Sequence, residues 1–237
     1  MAGEDRGKRR NMMLAGVIFD FDGVIVDTEP LHYRAFQEIL TPLELGYGWE
    51  IYMADYLGFD DRDAFREAFR SRGRSLTDTE LESLIDRKGQ AFLEIIAAGV
   101  RPYPGAVELI SGISGRLPLA ICSGALRSDI LPVLELFGLS GAFDVIVTAD
   151  DVAASKPDPA CYRLTLERLA AACPGKRIAP ENCVVIEDTP GGIVAARGAG
   201  LTVVGVTNSY PADRLAGTAR IIVSLEELSL NELALLV

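Results

Sequence analysis

The chain has 237 residues, of which 49% are hydrophobic and 24% charged, with a formal charge of −11. That length and apolar fraction allow one large α/β domain, or a core domain carrying a smaller insert, and exclude a disordered chain. The negative charge excludes a general nucleic-acid or anionic-membrane surface, which would need a basic field to neutralise phosphates.

The first segment, Met1–Met13, is polar and charged, and the basic cluster Lys8, Arg9, Arg10 within it reads as a solvated, flexible tail. The apolar stretch that follows is interrupted by Asp20 and Asp22, which leaves it too short for a signal sequence or a membrane span. Cytoplasmic residence is the expectation. Ala15–Phe19 reads as a buried strand. Roughly a hundred residues then pass without a comparable apolar run, far more than an αβ connection needs. Their content is helical: Leu31–Leu40, Asp61–Arg72 and Thr77–Ala98 carry apolar residues at three- and four-residue spacing, and Thr77 or Asp78 can cap the last.

Beyond this insert, strand-like runs at Leu117–Cys122, Val145–Val147, Cys183–Ile186, Thr202–Val206 and Ile221–Val223 alternate with other elements. Helical spacing appears at Ala106–Ile113, Ser128–Phe137, Pro159–Ala172 and Gly191–Ala199. This β-α-β-α pattern predicts an α/β fold with a doubly wound parallel sheet and an inserted small α-helical cap. The predicted boundaries are a tail over 1–13, a core over 14–28 and 102–237, and a cap over 29–101, hinged near Thr28 and Arg101–Pro104. Cys122, Cys161, Cys173 and Cys183 form no C-x-x-C pair and sit among apolar residues, so reduced core thiols are expected.

Ligands of open α/β sheets bind beyond the carboxyl ends of the strands, so the residues ending each run matter most. The first run ends in Asp20-Phe21-Asp22-Gly23, the second in Ser123-Gly124 and the fourth in Glu187-Asp188, while Lys156 follows the third strand region in Ser155-Lys156-Pro157. Four acids at one point are electrostatically costly unless a cation sits among them, and oxygen donors suit magnesium. Lys156 adds positive charge for a phosphate, and Ser123 with the Gly124 amide offers anion donors at a helix start. Blander readings stand beside these: a solvated acidic turn for Asp20 and Asp22, a surface lysine for Lys156, and a helix cap for Ser123. Thr189-Pro190-Gly191-Gly192 lacks either glycine-rich nucleotide pattern and reads as small-residue helix packing.

Asp20-Phe21-Asp22-Gly23-Val24-Ile25-Val26-Asp27-Thr28 resembles the first motif of the haloacid dehalogenase superfamily, with Ser123, Lys156 and Glu187-Asp188 similar to its second, third and fourth. The resemblance covers nearly everything from Gly16 onward. It implies a Rossmann-like core, Asp20 as nucleophile, and Asp22 as general acid then base. Magnesium would be held by Asp20, the Asp22 backbone carbonyl, Glu187 and Asp188, and the insert matches the family's helical-cap subgroup. The Asp22 proton can go to the leaving alcohol, after which its carboxylate can activate water, so phosphoryl chemistry is favoured over dehalogenation.

The expected activity is therefore a magnesium-dependent phosphatase of small phosphate monoesters, with a β-phosphoglucomutase-like mutase as the alternative. A phospho-acceptor module of the receiver type is a further alternative, disfavoured by length and motif order. The expected partner is a small phosphorylated metabolite, with neither nucleic acid nor membrane; monomer and homodimer both stay open. Thr28, His32, Arg62 and Lys88 resemble cap or hinge residues of β-phosphoglucomutase. On their own pattern, however, His32 is equally a packed residue of an amphipathic helix, and Arg62 and Lys88 lie on charged helical faces that favour a solvated role.

Overall fold

The computed structural model describes residues 13–237; the segment 1–12, with its Lys8–Arg10 cluster, lies outside the described residues. In chain order, β1 (Gly16–Phe19) leads into α1 (Glu29–Leu40), a single turn α2 (Trp49–Ile51) with a π turn at Tyr52–Tyr56, α3 (Asp61–Arg70) and α4 (Asp78–Ala97). Next come α5 (Ala106–Ile113), β2 (Leu119–Cys122), α6 (Arg127–Leu136), β3 (Val145–Val147) and α7 (Ala160–Ala172). The chain closes with β4 (Cys183–Glu187), α8 (Pro190–Gly198), β5 (Thr202–Val206), β6 (Arg220–Ile222) and α9 (Leu230–Ala234).

The six strands form one parallel sheet in the order β3-β2-β1-β4-β5-β6. Every residue of β1, β2 and β4 is buried, as a sheet covered by helices on both faces requires. Val17 and Phe19 point into one apolar layer with Ile121 and Ile186, while Ile18 points into the other with Val185 and Tyr162. The chain runs outward from β1 through β2 to β3, then returns to place β4 on the other side of β1. That reversal puts the topological switch point at the carboxyl ends of β1, β2 and β4. The register is direct: Phe19 faces both Ile121 and Ile186, so Asp20 emerges beside Cys122-Ser123 on one side and Glu187-Asp188 on the other.

The helices between β1 and β2 bury a cluster of their own around Phe36, Leu40, Phe65, Phe69 and Leu81. Thr77 caps α4 as expected, through a reciprocal box with Glu80. The chain leaves and re-enters the core side by side. Val26 bridges Pro102, and the Tyr103 amide donates to the Ile25 carbonyl at 3.0 Å. The alternative reading of Ser123 as a helix cap does not hold: Leu126 occupies the N-cap position of α6, and Ser123 Oγ accepts from the Ala125 amide at 3.0 Å.

Candidate active site

Asp20 is buried at the end of β1, with its Oδ1 accepting from the Phe21 amide at 2.8 Å and lying 3.1 Å from Lys156 Nζ. Lys156 also reaches Glu187 Oε1 at 2.7 Å and donates to the Cys122 carbonyl at 3.0 Å. Burial alone would discharge the lysine, but the carboxylates of Asp20 and Glu187 outweigh it and hold it well above the ordinary lysine range. It is therefore a fixed positive charge beside Asp20.

Glu187 accepts from five donors. Lys156 and the Tyr162 hydroxyl, at 2.7 Å each, occupy Oε1, and the Asp188 and Thr189 amides with the Thr189 hydroxyl occupy Oε2 at 3.1–3.2 Å. Burial would raise its pKa, but Lys156 and the other donors hold it below the usual range. The small residues after it explain its seat. A Cβ on Gly192 would lie 1.8 Å from Glu187 Oε1, so the predicted helix packing of Thr189–Gly192 is specifically packing against this carboxylate.

Asp188 differs. It is buried, and its Oδ1 has no hydrogen-bond partner. Burial and the charges of Glu187 and Asp20 push its carboxyl well above the ordinary range, and Asp20 is raised by burial and Glu187 against the pull of Lys156. Asp20, Glu187 and Asp188 can each bring one oxygen within 4.8 Å of the others. Gly23, at φ 77°, keeps the adjoining space open, since a Cβ there would lie 1.9 Å from Asp188 Oδ2. An orphaned buried oxygen in an all-oxygen, mutually repelling set fits a hard divalent cation.

Asp22, two residues beyond Asp20, turns away from that cluster. Its Oδ1 accepts from the Thr28 hydroxyl and lies 3.4 Å from His32 Nε2. His32 stacks on Phe92, ring centroids 4.2 Å apart, with its Nδ1 2.8 Å from Lys88 Nζ. An ammonium can only donate, so Nδ1 accepts and the ring proton sits on Nε2, facing Asp22. Burial would raise the Asp22 carboxyl, but His32, Thr28 and the Lys88 charge outweigh it and hold it below the ordinary value.

Asp20, Asp22, His32, Ser123, Gly124 and Lys156 line one cavity of about 320 Å³ between the sheet edge and the inserted helices. Thr28 stands behind Asp22. Arg62 and Lys88 are not among the residues lining that cavity. Lys88, expected on a solvated face, is fully buried: its ammonium lies 2.9 Å from Asp61 and 3.3 Å from Asp129 of α6. Arg62 pairs with Asp60 at 2.8 Å and extends to the carbonyls of Ala149 and Val152 at 3.3 and 3.5 Å. Ser155 also donates to Asp60, at 2.7 Å. Sequence reasoning missed Asp60, Asp61, Asp129 and Tyr162. Of these only Asp60 carried a signal, as the N-cap preceding an amphipathic helix.

A doubly wound sheet whose switch point gathers an acidic strand end, a second acidic pair, a hydroxyl and a buried lysine defines the class as an α/β enzyme of phosphoryl chemistry. The chain belongs to the haloacid dehalogenase-like hydrolase family, which it matches over residues 17–206. It is 32% identical over 192 residues to the fructose-1-phosphate phosphatase YqaB of Escherichia coli, covering 81% of this chain and 96% of that protein. CbbY of Rhodobacter sphaeroides, solved with phosphate and as a variant with xylulose-1,5-bisphosphate, superposes with a TM-score of 0.81 at 28% identity, covering 91% of this chain and 96% of that one. A β-phosphoglucomutase from Clostridium difficile shares the fold, with a TM-score of 0.81 at 23% identity over 93% of this chain and 95% of that one. The family match and the inserted helices both set aside the receiver-type reading. Among the described residues no helix is long and apolar enough to cross a membrane.

Proposed function

We propose that this protein is a magnesium-dependent phosphatase of small phosphate monoesters, sugar or short-chain organic phosphates, that works through an aspartyl-phosphate at Asp20. The observation carrying this reading is the division of the Asp20–Asp22 pair. Asp20 faces the cavity beside a fixed ammonium, while the Asp22 side chain is held apart by Thr28 and His32. In the first step an Asp20 oxygen forms a bond to phosphorus as the ester P–O bond breaks, and a protonated Asp22 gives its proton to the departing alkoxide. In the second, Asp22 takes a proton from water, whose oxygen bonds to phosphorus and releases Asp20 and inorganic phosphate. An incoming phosphate dianion favours the protonated form of Asp22 that the first step requires.

Lys156, Ser123 and the Gly124 amide orient the phosphate oxygens. Magnesium, held by Asp20, Asp188, Glu187 and the Asp22 backbone carbonyl, would neutralise phosphate charge that the carboxylates otherwise repel. The helices over 29–101 act as the cap that excludes water, hinged at Thr28 and Arg101–Pro104. Four free thiols, three of them buried, support residence in a reducing compartment such as the cytoplasm. Hydrolysis of p-nitrophenyl phosphate tests the assignment: Asp20→Asn should melt like the parent chain and release no phosphate. Full turnover by that variant would remove Asp20 as nucleophile.

A further inference from the structure

Resting on the phosphatase reading, we infer that the leaving-group side of the cavity accepts a neutral, polyhydroxylated alcohol and rejects one that carries a second phosphate. A phosphate dianion leaving water needs cations or N–H donors to replace its hydration. The phosphate being transferred has Lys156, Ser123 and Gly124 at the sheet edge. A second phosphate, on the far end of the same molecule, would face the inserted helices.

The cations on those helices that adjoin the cavity are already committed. Lys88 is fully enclosed, with Asp61 at 2.9 Å, Asp129 at 3.3 Å and His32 Nδ1 at 2.8 Å around its ammonium. Arg62 directs Nε and Nη2 to Asp60 at 3.1 and 2.8 Å, with Nη2 also approaching core carbonyls. The cap wall of the cavity presents Glu29, Asp60, Asp61, Tyr52 and Phe59, and the one imidazole on it, His32, turns Nε2 to Asp22 and Nδ1 to Lys88. Asp61 Oδ2 is buried without a partner, and Glu29 accepts from the Tyr52 hydroxyl at 2.5 Å. Carboxylate oxygens take hydroxyl donors, and aromatic faces take the C–H faces of a polyol; neither takes a phosphate. Arg214 also lines the cavity, but it is exposed on the core side over the Tyr210 ring, 5.8 Å from its centroid.

The same wall bears on the mutase alternative. To move a phosphoryl group between two hydroxyls of one sugar, the aspartyl-phosphate must transfer to a sugar that already carries phosphate. This regenerates Asp20 and leaves a bisphosphate in the cavity. The second phosphate would then lie against Glu29 and Asp61. Hydrolysis of a monophosphate makes no such demand.

The test measures phosphate release by the full magnesium-loaded chain from fructose 1-phosphate and fructose 1,6-bisphosphate, with p-nitrophenyl phosphate as reference. Expected is a preference for the monophosphate of about tenfold or more in kcat/KM. Glu29→Gln and Phe59→Lys should each narrow the ratio, and in Asp20→Asn, which cannot turn over, the monophosphate should still bind tighter. Equal or better turnover of the bisphosphate overturns the inference, as does a ratio unmoved by both cap variants. Bisphosphate turnover lost selectively in Arg214→Gln would place the second phosphate at the rim and overturn it too. Release from none of the three esters would refute the phosphatase reading itself.

Discussion

Replacing Lys88 by Met tests the buried network that joins the inserted helices to the core. Met roughly conserves the volume of the stem but removes the only ammonium among Asp61, Asp129 and His32, which lie within 3.3 Å of it. Lys88 is fully buried, so screening by water does not soften the loss. Removing one partner from a buried ion pair costs about 3–5 kcal/mol, since the other charge is left without compensation. For a domain of this size each kcal/mol moves the melting temperature by about 2–4 °C, so a fall of about 6–20 °C is expected. The pH dependence supplies a sign. Burial lowers the Lys88 pKa, but Asp61 and Asp129 outweigh it and raise it above 10.5, so its stabilisation is complete below that value and is lost only as pH rises through the higher folded pKa. In the variant, Asp129, already raised by burial, loses the Lys88 charge that opposes that rise, and with a folded pKa above the unfolded one its contribution to stability falls as pH rises through that interval. The deficit measured by thermal melts should therefore be larger at about pH 8 than at about pH 5. A fall below about 2 °C, or one equal at both pH values, would refute the account of a charged buried network.

Gly192→Ala should displace Glu187, because the new Cβ would sit 1.8 Å from its Oε1. A cost of about 1–3 kcal/mol in a thermal melt and a drop in kcat of about tenfold or more are expected, the latter because Lys156 loses its anchor. Chelation of divalent cations should abolish phosphate release, and magnesium added back should restore it while raising the melting temperature in a concentration-dependent way. Activity that survives exhaustive chelation would remove the cation from the reading of Asp20 and Asp188.

The sheet was legible because a parallel strand buried on both faces leaves an unbroken apolar run, and β1, β2 and β4 each do so up to the residue where chemistry begins. Topology did the rest: once β1 lies between β2 and β4, residues as distant in sequence as Asp20 and Asp188 must share an edge. Lys88 was misread for the converse reason. Lys88 lies among charged residues on α4, and nothing local reveals that Asp129, 41 residues later, closes over it. Helical periodicity reports how a face is patterned, not which residue from another element will cover it. The turn and π turn over Trp49–Tyr56 were likewise silent, since pieces that short show no period. The alternative of Ser123 as a helix cap gave way to a side chain that bonds its own loop.

Three cations thus acquire three tasks from their partners. Lys156 stands beside Asp20 and is held there by Glu187. Lys88 acts at one remove: it fixes the His32 tautomer, and His32 with Thr28 fixes Asp22. Arg62 touches no reacting group and ties α3 to the loop after β3 through Asp60 and the core carbonyls. Asp22 is therefore held by a network that runs from the inserted helices to the core, since Lys88 pairs both with Asp61 of α3 and with Asp129 of α6.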